Sequence, residues 1–166
     1  MKRAIGIVAS AAILCAWPAP ASAELTNSHQ IWTTFTADEL VGVAQELGST
    51  ASATNGPDGP EVDITTSKGF QYSANPVACQ SDGNCYGLII QAAFANANPA
   101  VDANWLSDFN LKHVFTTAML SGGEIILVRY EICDFGVAKG NVASDLTNFE
   151  RSARHLLDGL GRSGWQ

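Results

Sequence analysis

The sequence predicts an α+β fold, in which helices pack on a mainly antiparallel, twisted sheet. Segments that alternate apolar and polar residues follow one another directly, and clusters of glycine, proline, asparagine and serine separate them. Helical periodicity occurs only near the start, in the middle and at the end of the mature chain. The predicted order is helix, three or four strands, helix, two strands, helix, and adjacent strands with few helices between them favour an antiparallel sheet.

The first predicted element is a helix over about 37–47. Thr36 and Glu39 have the spacing of a capping box, in which Thr36 caps the first turn and Glu39 reaches back to it. The apolar residues that follow at helical spacing are Leu40, Val43, Ala44 and Leu47. Gly48 is placed to end this helix.

The next part of the chain changes to the period of strands. Residues 50–54 are weakly strand-like, and the turn-rich stretch 55–60 separates them from the alternating residues 62–66. The alternation resumes at 70–72, which predicts an antiparallel meander, and 86–94 is apolar enough for a more fully buried strand.

The middle helix is predicted to begin at Asn98-Pro99, because proline suits the first helical position, and to run to about Leu111. Val101, Trp105 and Phe109 fall on one face of it. Two strands follow at about 113–120 and 124–133.

The last helix shows the most regular pattern. Its apolar positions step by four, three, four, three and four residues: Val142, Leu146, Phe149, Ala153, Leu156 and Leu160. Four charged residues are predicted to cover its other face: Asp145, Glu150, Arg151 and Arg154. The glycines from Gly159 to Gly164 resemble a dinucleotide-binding pattern, but they follow a helix instead of a strand, so we interpret them as a helix stop and expect no cofactor.

The first 23 residues have the pattern of a secretory signal, with Lys2 and Arg3, an apolar run and a small-residue cleavage site after Ala23. The predicted organisation is a signal peptide over 1–23, a flexible leader over 24–35, one domain over 36–161 and a frayed tail over 162–166. This predicts a periplasmic or secreted protein. No later apolar run approaches the roughly 20 residues that cross a bilayer, so no membrane insertion is expected after cleavage.

The mature chain is strongly acidic. Its nine Lys and Arg residues less Lys2 and Arg3, set against 16 Asp and Glu, give a net charge of −9. Nucleic acids and anionic lipid surfaces both require basic patches, so neither is an expected partner.

Cys79 and Cys85 flank a turn between two predicted strands, and in an oxidising compartment they are expected to form a disulfide. A ring of this size contributes about 2 kcal/mol of stability. Cys133 is interpreted as a small core residue, with a nucleophile as the alternative. The three histidines have no ligand spacing, so no metal site is predicted: His29, His113 and His155.

Other candidates are weaker signals. Glu124, Glu131 and Asp134 surround one hairpin, where a pair of them would suit acid–base chemistry, although acidic strand surfaces look the same. Trp105 and Phe109 are core residues or, alternatively, a partner-binding or dimer surface. No catalytic residue is therefore assigned.

The block from Cys79 to Leu160 resembles the YbjN family, a group of putative bacterial sensory transduction regulators. The resemblance is carried by the segment Cys79–Cys85, the strand ending at Phe94, the segment Leu106–Asn110, and four single positions: Phe115, Gly136, Val137 and Phe149. It implies a fold similar to type III secretion chaperones, which form dimers and bind partner proteins, and it implies no defined reaction.

These observations predict an exported, non-enzymatic protein-interaction domain with a regulatory or chaperone-like role, acting on a protein partner or as a homodimer. A small-ligand module that uses a cleft between sheet and helices is the alternative, and an enzyme that uses Cys133 or dispersed acids is a minor one.

The cysteine assignment is testable by mass spectrometry of the purified mature protein without reductant. We expect one thiol to react with an alkylating reagent in the denatured chain and three to react after reduction. Three reactive thiols before reduction would contradict the disulfide.

Overall fold

The structure is a computed structural model that describes residues 25–57, 59–96, 98 and 100–162. The predicted signal peptide, Pro99 and residues 163–166 of the predicted tail lie outside the described residues.

Three helices and eight strands make up the described chain. The helices are α1 (Ala37–Glu46), α2 (Ala103–Lys112) and α3 (Lys139–Gly159). The strands are β1 (Ile31–Trp32), β2 (Thr50–Gly56), β3 (Gly59–Thr65), β4 (Gln71–Cys79), β5 (Cys85–Ala95), β6 (Thr117–Ser121), β7 (Glu124–Ile132) and β8 (Val137–Ala138).

Strands β2 to β7 form one six-stranded antiparallel sheet in the order β2-β3-β4-β5-β7-β6. The short strands β1 and β8 pair separately. The structure therefore confirms the predicted α+β class and its order of helices and strands, with four strands between the first two helices.

The core lies between the helices and one face of the sheet. Buried residues alternate along β4, β5 and β7, and they join the apolar positions of all three helices in a single cluster. At its centre, the ring centroid of Phe149 in α3 lies 6.2 Å from that of Phe70 and 5.5 Å from that of Tyr72. This packing accounts for the regular apolar stripe of α3.

The two helix starts that the sequence predicts have different outcomes. The capping box of α1 is present, because the Glu39 amide donates to Thr36 Oγ1 at 3.3 Å and the Thr36 amide donates to Glu39 Oε2 at 3.2 Å. The predicted start of α2 at Asn98-Pro99 is wrong. Asp102 caps α2 instead, accepting from the Trp105 amide at 2.9 Å. Asn98 Oδ1 accepts from the Ala100 amide, in a local turn that precedes the helix.

Residues 25–35 differ from the flexible leader predicted for them. Trp32 and Phe35 are buried, and the Phe35 amide donates to the Cys85 carbonyl at 2.7 Å. Lys139 Nζ donates to the Thr26 carbonyl and to Glu46, each at 2.8 Å. The segment thus belongs to the folded domain. Its own sequence shows no regular apolar pattern, and contacts with distant parts of the chain hold it in place.

The prediction that Asp145 covers the outer face of α3 is also wrong. Asp145 is buried and faces Arg129 of β7. A charged residue can occupy the inner edge of a helix when a buried partner of opposite charge lies opposite it, and the partner is not visible in the local pattern.

The side chain of Asn110 closes one edge of the sheet. Its Nδ2 donates to the Ala118 carbonyl at 2.9 Å, and its Oδ1 accepts from the Ala118 amide at 2.7 Å. The side-chain amide thereby takes the place of a neighbouring strand along β6. Exposed strand edges otherwise pair with other chains, so this contact protects the edge as well as fixing α2.

Replacing Asn110 by alanine should lower the free energy of unfolding by about 2 kcal/mol, because two hydrogen bonds to the strand edge are lost. Asn104→Ala, an exposed position of the same helix, is the matched control and should change it by less than about 0.5 kcal/mol. Urea unfolding of both variants measures the difference, and equal midpoints would contradict the clamping role.

Candidate interaction surface

The structure places Trp105 and Phe109 mainly inside the domain. Phe109 is only 6% exposed, and its ring centroid lies 5.8 Å from that of the half-buried Trp105. A Cβ atom added at Gly159 would lie 3.0 Å from the Trp105 ring, so that ring packs on the end of α3. Phe109 is therefore wrong as a partner-binding surface, and its aromatic character serves the core.

His113 and His155 lie far apart in sequence, yet their rings stack with centroids 5.1 Å apart, between α2 and α3. Burial and then the neighbouring His155 lower the pKa of His113. No third metal-ligating side chain joins them within the described ranges, where no group of three or more His, Cys, Asp or Glu residues is arranged to hold a metal ion.

The side chains considered for catalysis do not form one site that includes Cys133, Glu124 and Glu131. Cys133 is fully buried, and burial raises the pKa of its thiol, which makes the thiolate less accessible. Glu124 and Glu131 stand at opposite ends of β7, seven residues or about 23 Å apart. Asp134 lies exposed beyond that strand.

A different acidic pair forms at α3. Asp145 Oδ2 lies 3.6 Å from Arg129 Nη2, which also contacts Glu131 Oε2 at 3.0 Å, and the Arg129 guanidinium stacks on the Phe115 ring. Burial, with the hydrogen bond and charge of Glu131, raises the pKa of Asp145 to about 7 despite the opposing effect of Arg129. The cluster is covered by α3, so we interpret it as part of the packing between that helix and β7.

The face of the sheet that lies opposite the helices is the most distinctive surface of the domain, and we call it the open face. The strand register places its polar residues on β3 and β4: Glu61, Asp63, Gln71, Ser73 and Asn75. On β5, β7 and β6 it places mainly apolar residues, with Gln91 among them and Glu124 at one end of β7: Ile89, Ala93, Ile126, Val128, Tyr130, Ile132 and Met119. The open face is therefore divided into an acidic, polar half and an apolar half.

Three side chains of the apolar half are largely exposed: Tyr130 at 49%, Ile132 at 55% and Met119 at 44%. Tyr130 lies over Gly87, where an added Cβ atom would be 2.7 Å from the tyrosine Oη and 2.9 Å from Val77 Cγ2. Gly87 therefore allows the ring to lie flat on the sheet beside Val77. The ring of Tyr130 is packed on the sheet on one face and exposed on the other.

The acids of the open face lie apart from the bases of the described chain. Glu61 and Asp63 form no ion pair with any described residue. The seven Lys and Arg residues after Arg3 lie on the helices, on the helix side of the sheet or in turns: Lys68, Lys112, Arg129, Lys139, Arg151, Arg154 and Arg162. The open face carries negative charge without a base beside it.

Two adjoining grooves follow the open face. One of about 560 Å³ is lined by Asp63, Ser73 and Gln91, and the other, of about 300 Å³, is lined by Asn75, Val77 and Gln91. The buried Oδ1 atom of Asn75 accepts no hydrogen bond from the described residues.

The predicted disulfide is present between Cys79 and Cys85, which are directly paired residues at the end of β4 and β5. Two residues along, Val77 pairs with Gly87 beneath Tyr130. The bond therefore holds the strand ends beside the apolar half. Among the described helices, none is both long and apolar enough to cross a bilayer. The disulfide is consistent with an extracellular or periplasmic protein.

Sequence reasoning missed the open face. Its residues alternate correctly along each strand, but the same alternation fits either face of the sheet. One signal was available. In the run Arg129-Tyr130-Glu131-Ile132 the apolar residues alternate with charged ones, so either set could have faced the helices.

Comparisons with known proteins indicate the fold. A crystal structure of an uncharacterized protein from Methanothermobacter thermautotrophicus superposes with a TM-score of 0.54 at 12% identity, over 75% of this chain and 96% of that chain. No family model matches the chain. No curated protein matches it either. The likeness establishes the fold alone, and the resemblance to the YbjN family stays a prediction.

Asp145→Asn should reduce the pH dependence of stability. With a pKa near 7 in the folded state and an ordinary value of 3.8, the carboxyl stabilises the fold fully below pH 4, and this contribution is lost as the pH rises to 7. The variant should therefore gain on the wild type between pH 4 and pH 8, by at most about 4 kcal/mol and by less to the extent that solvent screens the group. Thermal unfolding across this range measures it, with exposed Asp158→Asn as control, and parallel curves for Asp145→Asn and wild type would contradict the assignment.

Proposed function

We propose that this protein is an exported, non-enzymatic protein-interaction domain with a regulatory or chaperone-like role. The observation that carries the proposal is the open face, which leaves Tyr130, Ile132 and Met119 exposed on a rigid sheet. Exposed apolar residues that gather in one area commonly mark protein-binding sites. Here they adjoin a polar half, as in the rim of an interface.

The construction of the open face supports this role. Each of its strands presents the opposite set of side chains to the core, so the exposed residues are held in place by buried neighbours such as Leu88 and Ile90. A preformed surface loses little conformational entropy when a partner binds. The resemblance to the YbjN family and to type III secretion chaperones points the same way.

The positions of the candidate catalytic residues support a non-enzymatic role. Cys133 is buried, and Glu124 and Glu131 lie far apart on β7, which supports this role. Export to the periplasm or beyond, with cleavage after Ala23, is proposed on the signal-peptide pattern of residues 1–23 and is supported by the intramolecular disulfide.

A small-ligand module is the second candidate function. A cleft of about 530 Å³ separates α2 from β6, and its lining includes Leu106, Leu111, Ala118, Met119 and Leu120. This volume is within the range of small-molecule sites. Thermal stabilisation by one member of a metabolite panel, lost in Leu106→Ala, would favour this candidate over the open face.

Site-specific crosslinking in the cell tests the interaction function. A photoreactive amino acid at Ala93, which is exposed on the open face, should trap a protein partner, whereas the same group at Asp158, exposed on α3, should not. A variant that carries both the photoreactive amino acid at position 93 and Tyr130→Ala should form no adduct, because Tyr130 is the proposed anchor for the partner. Self-adducts would identify a homodimer, which light scattering would then show as twice the monomer mass. No adduct from either probe would contradict the proposed function.

A further inference from the structure

We infer that the open face binds a polypeptide segment of a partner protein that carries Lys or Arg about four residues from its apolar side chains. This inference rests on the proposed interaction function and names the chemistry of the partner. It is argued from the charges of the open face, from its apolar anchor and from the distance between them.

The charges favour a basic partner. Glu61 and Asp63 project from β3 and make no ion pair with any described residue, while the bases of the described chain lie on the helix side or in turns. An opposite charge brought to these acids gains attraction without displacing an existing partner. An acidic segment would be repelled.

The apolar half supplies the anchor. Tyr130 lies flat over Gly87 with Val77 beside it, and Ile132 extends the same surface. Tyrosine held in a fixed rotamer buries a large area at little entropic cost, which is why it is common among residues that dominate binding energy. Leucine, isoleucine or phenylalanine side chains of a partner would pack here.

The strand register sets the spacing. Asp63 pairs with Ser73, Ser73 with Gln91, and Gln91 with Val128, so the acid and the apolar strand are three strand steps apart. At about 4.8 Å per step this distance is about 14 Å, which an extended chain covers in about four residues. A bound segment that crosses the sheet should therefore carry its base about four residues from its apolar anchor.

A second copy of this chain fits the surface less well. Two open faces brought together would add Glu61 and Asp63 of each copy to an interface with no base on either side. Unpaired carboxylates lose their hydration without compensation in such an interface. A separate partner that brings its own cations avoids this cost.

Synthetic 12-residue peptides test the inference with the purified, disulfide-bonded protein. The probe places Leu residues four positions from Lys residues, the second peptide replaces Lys by Glu, and the third replaces Leu by Ser. Fluorescence anisotropy should give at least tenfold tighter binding of the Leu/Lys peptide than of either control. Its Kd should rise several-fold between 50 and 300 mM NaCl, because the attraction is screened.

Variants locate the binding site. Tyr130→Ala and Ile132→Ala should each raise the Kd about tenfold, and Glu61→Gln combined with Asp63→Asn should raise it several-fold and remove most of the salt dependence. The controls are Val114→Ala, an exposed apolar residue that follows α2, and Asp158→Asn, an exposed acid on α3. Neither control should change the Kd more than twofold.

The outcomes separate this inference from the proposed function. Equal binding of the Leu/Lys and Leu/Glu peptides, or a Kd unchanged by the open-face variants, would overturn the inference. The crosslinking experiment would still support an interaction function if Ala93 traps a partner under those conditions. Self-association that competes with the Leu/Lys peptide and is lost in Tyr130→Ala would also overturn it, since the occupant would then be a second copy.

Discussion

The packing of α3 against one face of the six-stranded sheet is the contact on which the remainder of the domain depends. Its apolar stripe packs Phe149 against the stacked rings of Phe70 and Tyr72, and α1 and α2 join the same cluster. Burial of apolar surface is the main favourable term in folding, and here it is concentrated on one side of the sheet. The open face, on the opposite side of the sheet, is therefore not covered by any described helix.

This one-sided arrangement also separates the charges. Most basic residues lie on the helix side of the sheet, where Lys139 pairs with Glu46 and Arg129 of β7 pairs with Glu131. Glu61 and Asp63 remain on the uncovered side without such partners. The same event that forms the core thus produces a surface with apolar and acidic halves. Its geometry is held at the edges by the Cys79–Cys85 bond and by Asn110.

Features that depend on neighbours in sequence could be predicted. The capping box of α1, the stripe of α3 and the paired cysteines each involve residues within one or two turns of chain, and all are present. The errors arose where a distant contact decides the outcome. Phe35 is ordered by Cys85, and Asp145 faces Arg129 instead of solvent. For Phe109 the sequence left the core and a partner surface open, and the packing of α2 selects the core.

The sequence by itself determined the α+β class, the order of its elements and the alternation that gives every strand two different sides. It also determined the acidity of the mature chain. Only the tertiary structure decided which side of the sheet the helices cover, because alternation is symmetric between the two faces. That choice brought Asp63, Gln91 and Tyr130 onto one surface from three strands that are far apart in sequence, and no local pattern joins them.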